Sequence, residues 1–387
     1  MKIRSTMPER RPRTVLSAYI DGKSRHIEAL KLNAVDRLEK AQEDSQGELT
    51  VMLDGQRHSR TKDLALFAGL GLAPTALAAY AGSMLNGSTG ALVGGALGVG
   101  AFALPSLYFL GRAWKASQWT PETRYTPSEA ARPTPIERPG AQRLRSLVEE
   151  NQSGNPQARH LLFVSGHGDR SSVAGMAMDD LSQAMEGSQL DLTILDACLQ
   201  AQLEVLTRMA PWAGLILASP HKIKARGFDL QNMLKPQILR QDSKLAMAEE
   251  MARIARSTAP SFAVIDSGEL KASLLPCLDK LGSCLATALE DPSKGRSVRR
   301  ALKRAPSTDG LISRRVDLGG FLKELGRQGV LPELTREANK LFKQAVPFQE
   351  NEHSISFHVT EGKNDTTLPE GWRTFLKALD CSFKPIF

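Results

Sequence analysis

A chain of 387 residues with 41% hydrophobic and 24% charged residues is long enough for a sizeable core and too apolar for wholesale disorder. Its formal charge of +8 is a mild basic bias, compatible with an anionic surface but demanding none. The four cysteines, Cys198, Cys277, Cys284 and Cys381, form no CxxC pair and no Cys/His ligand spacing, which argues against a disulfide framework and a zinc site and for a reducing compartment.

The basic start, MKIRSTMPERRPRTVL, is followed by no apolar run of signal-peptide length, so no secretory signal is expected there. RTVLSAYIDG and ELTVMLDGQ then read as strands ending in Asp-Gly turns, separated by the helical pattern HIEALKLNAVDRLEKAQED. From Leu64 to Gly111 the chain has no Asp, Glu, Lys, Arg or His. The polar turn Asn86-Gly87-Ser88-Thr89 divides this stretch into two halves, each long enough for the roughly 20 residues a helix needs to cross a bilayer. The expectation is a transmembrane helical hairpin, with Gly90, Gly94 and Gly98 allowing close helix contact. Arg57, Arg60 and Lys62 before it and Arg112 and Lys115 after it place both flanks, and hence both termini, in the cytoplasm. A buried Gly/Ala-rich hairpin inside a soluble core is the alternative.

A proline-rich loop, TPETRYTPSEAARPTPIERPG, follows. Beyond it the pattern alternates: helix AQRLRSLVEENQ, strand HLLFVSG, short helix MDDLSQAMEG, strand DLTILDA, helix CLQAQLEVLTRMA and strand GLILAS. Alternation of this kind implies parallel pairing and a sheet covered on both faces, an α/β fold. After about Leu230 helical patterns dominate, with SFAVIDSG and SISFHV as further strands. The segment KGRSVRRALKR, Lys294 to Arg304, is either a lipid-contacting or cleavable element or, as favoured here, the solvated face of a helix.

Two apolar strands stop at a reactive side chain, LLFVSGHG at His167 and LTILDAC at Cys198. Crevices of parallel sheets lie beyond the carboxyl ends of the strands, so both side chains are expected in one crevice, as nucleophilic attack on an acyl group requires. Gly166 and Gly168 permit a sharp turn and close backbone approach. The amides of Gly168 and Cys198 are candidate oxyanion donors. Cys198 is expected to open a helix, whose dipole would favour a thiolate. On residue types alone, a buried structural cysteine and a capping histidine remain open.

These motifs resemble the clostripain family of cysteine peptidases, relatives of caspases, gingipains and legumains. The similarity extends to TVLSAYIDG, ELTVMLDGQ and the stretch SQAMEGSQLDLTILDACLQAQLEVLTRMAPWAGLILASPHKIKARGFDL, and more loosely to SFAVIDSGEL and SISFHV. It implies Cys198 as nucleophile and His167 as general acid and base, with protein or peptide substrates. It also implies substrate binding by Asp196 and Ser219, the former lining a pocket for Arg or Lys before the scissile bond; capping of a helix near Cys198 is the other role open to Asp196. In three respects the sequence departs from the family. Pro220 and His221 follow Ser219 where an acidic residue is usual, the interval from His167 to Cys198 has Arg170 as its only basic residue, and the hairpin interrupts the chain after the second strand.

The expected fold is therefore a caspase-like, mostly parallel sheet flanked by helices, with an inserted two-helix hairpin and a helical C-terminal region. Residues 1–63 and 115–270 form the two parts of the catalytic domain, 64–114 the insertion and 271–387 the completing helices. No cofactor, obligatory metal or nucleic-acid partner is expected. The expected location is a bacterial inner membrane, or a host membrane if the protein is exported. A catalytically idle scaffold and a membrane-inserting pore or translocator are the alternative functions.

Overall fold

The computed structural model describes residues 14–21, 37–38, 40–45, 49–56, 140–224, 227–307, 315–349, 353–360 and 362–382. The stretch 64–111 expected to form the hairpin lies outside them. Among the described residues no helix is long and apolar enough to cross a membrane.

Seven strands form the central sheet: β1 (Thr14–Asp21), β2 (Leu49–Gln56), β3 (Arg159–Ser165), β6 (Leu190–Asp196), β7 (Ala213–Ala218), β8 (Ala263–Asp266) and β10 (Phe348–Gln349). Their spatial order is β10-β8-β7-β6-β3-β1-β2. The five strands from β7 to β2 are parallel, while β8 runs against β7 and β10 against β8. A small hairpin, β4 (Ser172–Val173) with β5 (Met176–Ala177), follows β3, and β9 (Arg315–Asp317) pairs with β11 (Ser356–His358).

Strands buried on both faces read as continuous apolar runs, and here neighbouring residues divide between two cores. Leu162, Val164, Leu195 and Ile216 point into one core, and Leu161, Phe163, Ile194 and Leu217 into the other. The first core is covered by α1 (Gly140–Gly154), α2 (Met178–Ala184), α3 (Leu203–Met209) and the C-terminal helices. The second is covered by the segment from Phe228 to Leu239 and by α4 (Lys244–Ala255).

The C-terminal helices are α5 (Leu275–Glu290), α6 (Pro292–Arg304), α7 (Leu318–Arg327), α8 (Pro332–Ala345) and α9 (Glu370–Ser382). A turn of π-helix, Leu270–Leu274, leads into α5. Backbones of α5 and α9 meet closely, since a Cβ on Gly282 would lie 2.5 Å from the carbonyl carbon of Gly371. Trp372 and Phe375 then stack with Phe321 of α7 and Phe357 of β11 in a fully buried aromatic cluster. The same apolar core runs from the sheet into these helices without a break. The basic segment is a helix with Gly295, Val298, Ala301 and Leu302 turned inward and its cations outward, as favoured from sequence.

One carboxylate ties this region together. Asp317 is fully buried; it caps α7 by accepting from the Gly320 amide at 2.6 Å and also accepts from the Ser354 amide at 2.9 Å. Asp317→Ala would remove the cap and leave buried N–H groups without an acceptor, a loss of about 2 kcal/mol. Urea unfolding checks this; a variant with an unchanged midpoint would contradict it.

Candidate active site

The strand register decides where the two reactive side chains go. Ser165, the last residue of β3, pairs with Asp196, the last residue of β6. His167 and Cys198 each follow two positions later, on neighbouring parallel strands about 4.8 Å apart. The amide of Gly166 donates to the Asp196 carbonyl at 3.2 Å and so carries the ladder one step past the strand ends. Both loops emerge at the carboxyl edge of the sheet, His167 exposed and Cys198 half-buried.

The loop after β3 folds back on itself. Ala174 N donates to His167 O at 2.7 Å and Asp169 N to Ser172 O at 2.9 Å, making Gly168 and Val173 an antiparallel pair of the non-hydrogen-bonded kind. In such a pair the residue's own N–H and C=O point away from its partner, so the Gly168 amide faces out of this hairpin. The Asp169 carboxylate accepts from both the amide and hydroxyl of Ser171 and from the Ser172 amide. Partial burial works against its ionisation, but these bonds outweigh burial and hold it below the usual carboxylate range.

Gly168 is where the two loops touch. A Cβ there would lie 2.5 Å from Gln200 Nε2, 2.6 Å from Cys198 O and 2.9 Å from the Ala197 Cβ. Gln200, fully buried, is the clamp between them. Its amide nitrogen donates to Cys198 O and Asp169 O, both at 3.0 Å, and approaches Ser172 O at 3.4 Å. The sulfur of Cys198 accepts from the Ile223 amide at 3.4 Å.

One expectation is corrected. Cys198 does not open a helix; α3 starts at Leu203, and Cys198 lies in a turn. Leu199 adopts a left-handed backbone, φ +61°, which a helix cannot contain. The amides that would build the first helical turn are taken from outside: Leu199 N donates to His221 O and Ala201 N to Ser219 O, both at 3.0 Å. The sulfur thus meets the Ile223 amide rather than a helix N-terminus, and Asp196 caps no helix here.

Asp196 is buried beside the site, its Oδ2 accepting from the Ser165 hydroxyl at 3.0 Å. Gly227, at φ +66°, lies directly over it: a Cβ there would fall 2.5 Å from Oδ2. Ser219 is fully buried with its hydroxyl directed inward, donating to Ser261 O at 2.8 Å and accepting from the His221 amide at 3.0 Å. The residue next to the crevice on this side is His221, whose ring packs edge-on against His353 at 5.0 Å. Gln200, Ile223 and Gly227 escaped the sequence reading, because their roles come from tertiary contacts rather than from a motif; His221 was noted there as a departure after Ser219. The one available signal was polar Gln200 between apolar Leu199 and Ala201. Among the described residues no group of three or more His, Cys, Asp or Glu side chains could hold a metal ion. Cys277 and Cys284 are free and lie on α5, away from the strand ends; burial pushes the Cys277 thiol up.

The sheet order and its flanking helices make this a caspase-like α/β fold, with a histidine loop and a cysteine loop on adjacent strand ends. Residues 155–328 match the model of the clostripain family. Solved structures share the fold. An inactive zymogen C11 protease from Parabacteroides distasonis superposes with a TM-score of 0.55 at 15% identity, covering 96% of this chain and 97% of the other. A secreted C11 cysteine protease from Bacteroides thetaiotaomicron, in complex with an irreversible peptide inhibitor, gives 0.53 at 13% identity with 96% and 99% covered. A further structure of a secreted C11 cysteine protease from the same organism gives 0.54 at 11% identity with 94% and 99% covered. No curated protein sequence matches significantly.

Proposed function

We propose that this chain hydrolyses peptide bonds through a dyad of His167 and Cys198, cleaving after Arg or Lys, and that it is held at a membrane by residues 64–111. The single observation that carries the dyad is the register of Ser165 with Asp196, which sends two residues at equal offsets to one edge of the sheet. His167 takes the thiol proton and the Cys198 sulfur attacks the scissile carbonyl. The amides of Gly168 and Cys198 receive the developing oxyanion, and His167 passes its proton to the leaving amine. Water, activated by the same imidazole, then releases the acyl group and restores the thiol.

Preference for a basic residue rests on Asp196, a buried carboxylate whose Oδ2 lies under the Gly227 turn. A guanidinium reaching it would form the charge-assisted pair that arginine favours. With the Ser219 hydroxyl directed inward, the pocket wall on that side falls to the backbone of the segment after Ser219 and to His221. Anchoring is supported by the uncharged sequence from Leu64 to Gly111, and by β2 before it and α1 after it packing against each other in one domain. A two-span hairpin returns to the side it left, as an insertion between those two elements requires. In this reading residues 271–387 complete the catalytic domain.

An irreversible arginyl electrophile is expected to add once per chain, at Cys198, with attachment read by peptide mass spectrometry. Labelling of Cys277 or Cys284 instead, or none at all, would reject the dyad and favour the idle scaffold. A pore or translocator reading predicts vesicle leakage that survives Cys198→Ala.

A further inference from the structure

A second concavity lies away from the cysteine, bounded by the end of α6, by α7 and α8, and by the edge strand β10. Its volume is about 1070 Å³, the upper end of the range of small-ligand pockets. Four cations line it, Arg304, Lys323, Arg327 and Lys343, all exposed, and Glu324 is the one acid among the described lining residues. That acid is already paired with Arg327. The basic character continues outward along α6, whose Lys294, Arg296, Arg299, Arg300, Lys303 and Arg304 have no Asp or Glu within the helix. The floor is apolar, made by Phe342, Val346, Pro347 and Phe348.

We propose that this cleft docks an acidic peptide segment carrying an apolar side chain, the acids meeting the lysines and the apolar group the phenylalanine floor. A flat bilayer would not reach a concave floor. A single-stranded nucleic acid would need an open aromatic face to stack on, and Phe348 is already covered by the Arg253 guanidinium at 5.2 Å.

Position connects the cleft with the crevice. β10 runs in the same direction as β7, and Gln349 pairs with Ala263, which pairs with Ala218 at the carboxyl edge. At Gln349 the cleft therefore reaches the sheet edge that carries Cys198, with β10 three strand spacings from β6, or about 14 Å. About four residues of extended chain cover that distance. Resting on the peptidase reading, the segment belongs to the substrate, and the cleft selects proteins with an acidic stretch at least about four residues from the scissile bond.

The test uses the full-length chain bearing Cys198→Ala, so that binding is read without turnover. Fluorescence anisotropy compares a labelled peptide of Asp, Glu and one central Phe with its serine-substituted counterpart and with oligothymidylate. The acidic peptide is expected to bind at least about tenfold tighter than the serine peptide, and to weaken as salt rises. Lys323→Glu with Lys343→Glu should remove about tenfold of that affinity at an unchanged melting temperature. Equal binding of the two peptides, no effect of the paired substitution, no effect of salt, or tighter binding of oligothymidylate would each overturn the proposal. Binding of the acidic peptide by a chain whose Cys198 resists the electrophile would sink the dyad and leave the cleft standing; labelling without binding would do the reverse.

Discussion

Gly168→Ala should lower kcat for arginyl amide substrates by about 100-fold or more while changing KM little. The added methyl has no empty space to enter: it meets Gln200 Nε2 at 2.5 Å, Cys198 O at 2.6 Å and the Ala197 Cβ at 2.9 Å. Of these, Cys198 O is backbone and Gln200 is itself fixed by bonds to both loops. Relief must come from separation of the histidine loop from the cysteine loop. A displacement near 1 Å moves the imidazole relative to the sulfur and also moves the Gly168 amide, and such misplacement costs about 100-fold on its own. Overpacking would also cost about 1–3 kcal/mol of stability, so the folded fraction is measured alongside by thermal melting. Wild-type kcat in a folded Gly168→Ala protein would mean that the loops need not touch. Gln200→Leu keeps the side-chain bulk and strips the donors from the carbonyls of Asp169, Ser172 and Cys198, so it should also depress kcat; normal activity there would deny Gln200 its positioning role.

These contacts mark where sequence reasoning stops. β3 and β6 could be read because strands buried on both faces are unbroken apolar runs, and each ends at residues that cannot continue a strand quietly, Ser-Gly-His and Asp-Ala-Cys. Their adjacency followed from the alternation of strands and helices. The segment from Leu199 to Leu206 misled, since Leu199, Leu203 and Leu206 recur at helical spacing although only the later part is helix. What overrides periodicity there is tertiary: carbonyls of Ser219 and His221 capture the amides of Ala201 and Leu199, and the Ser356 amide donates to Ala201 O. Ser219 was expected to bind substrate; the direction of its hydroxyl is set by Ser261, which is far away in sequence. The two-residue strand β10 is too short to carry any period, so the cleft beside it had no signature beyond the basic run of α6.

Glu204→Gln should stabilise the protein by about 3 kcal/mol at pH 8 to 9 and leave it nearly unchanged near pH 4. Glu204 lies in the first turn of α3, five residues after Leu199, and is fully buried. Its Oε1 accepts from the His358 amide at 3.1 Å, while Oε2 is buried without a hydrogen-bond partner. Burial is the main cause that pushes its carboxyl up to about 7, with nearby Asp365 adding repulsion against partial relief from backbone bonds and Arg170. Asp365 stays ionised despite its own burial because Thr367 and Arg208 donate to it, and Arg208 also pairs with Asp179 of α2. In the unfolded chain Glu204 ionises near its ordinary 4.5. Between that value and about 7 the unfolded state releases a proton that the folded state keeps. Stability is therefore full below the lower value, falls as pH rises, and has lost its whole increment above the higher one. Glutamine keeps the acceptor for His358 and has no proton to lose, so its urea midpoints should show no such decline. Parallel pH profiles for the two proteins would place the Glu204 carboxyl at its ordinary value and reject the argument. A divergence opening between pH 5 and pH 8 would show that the carboxyl behind the cysteine loop keeps its proton up to about 7 in the folded protein.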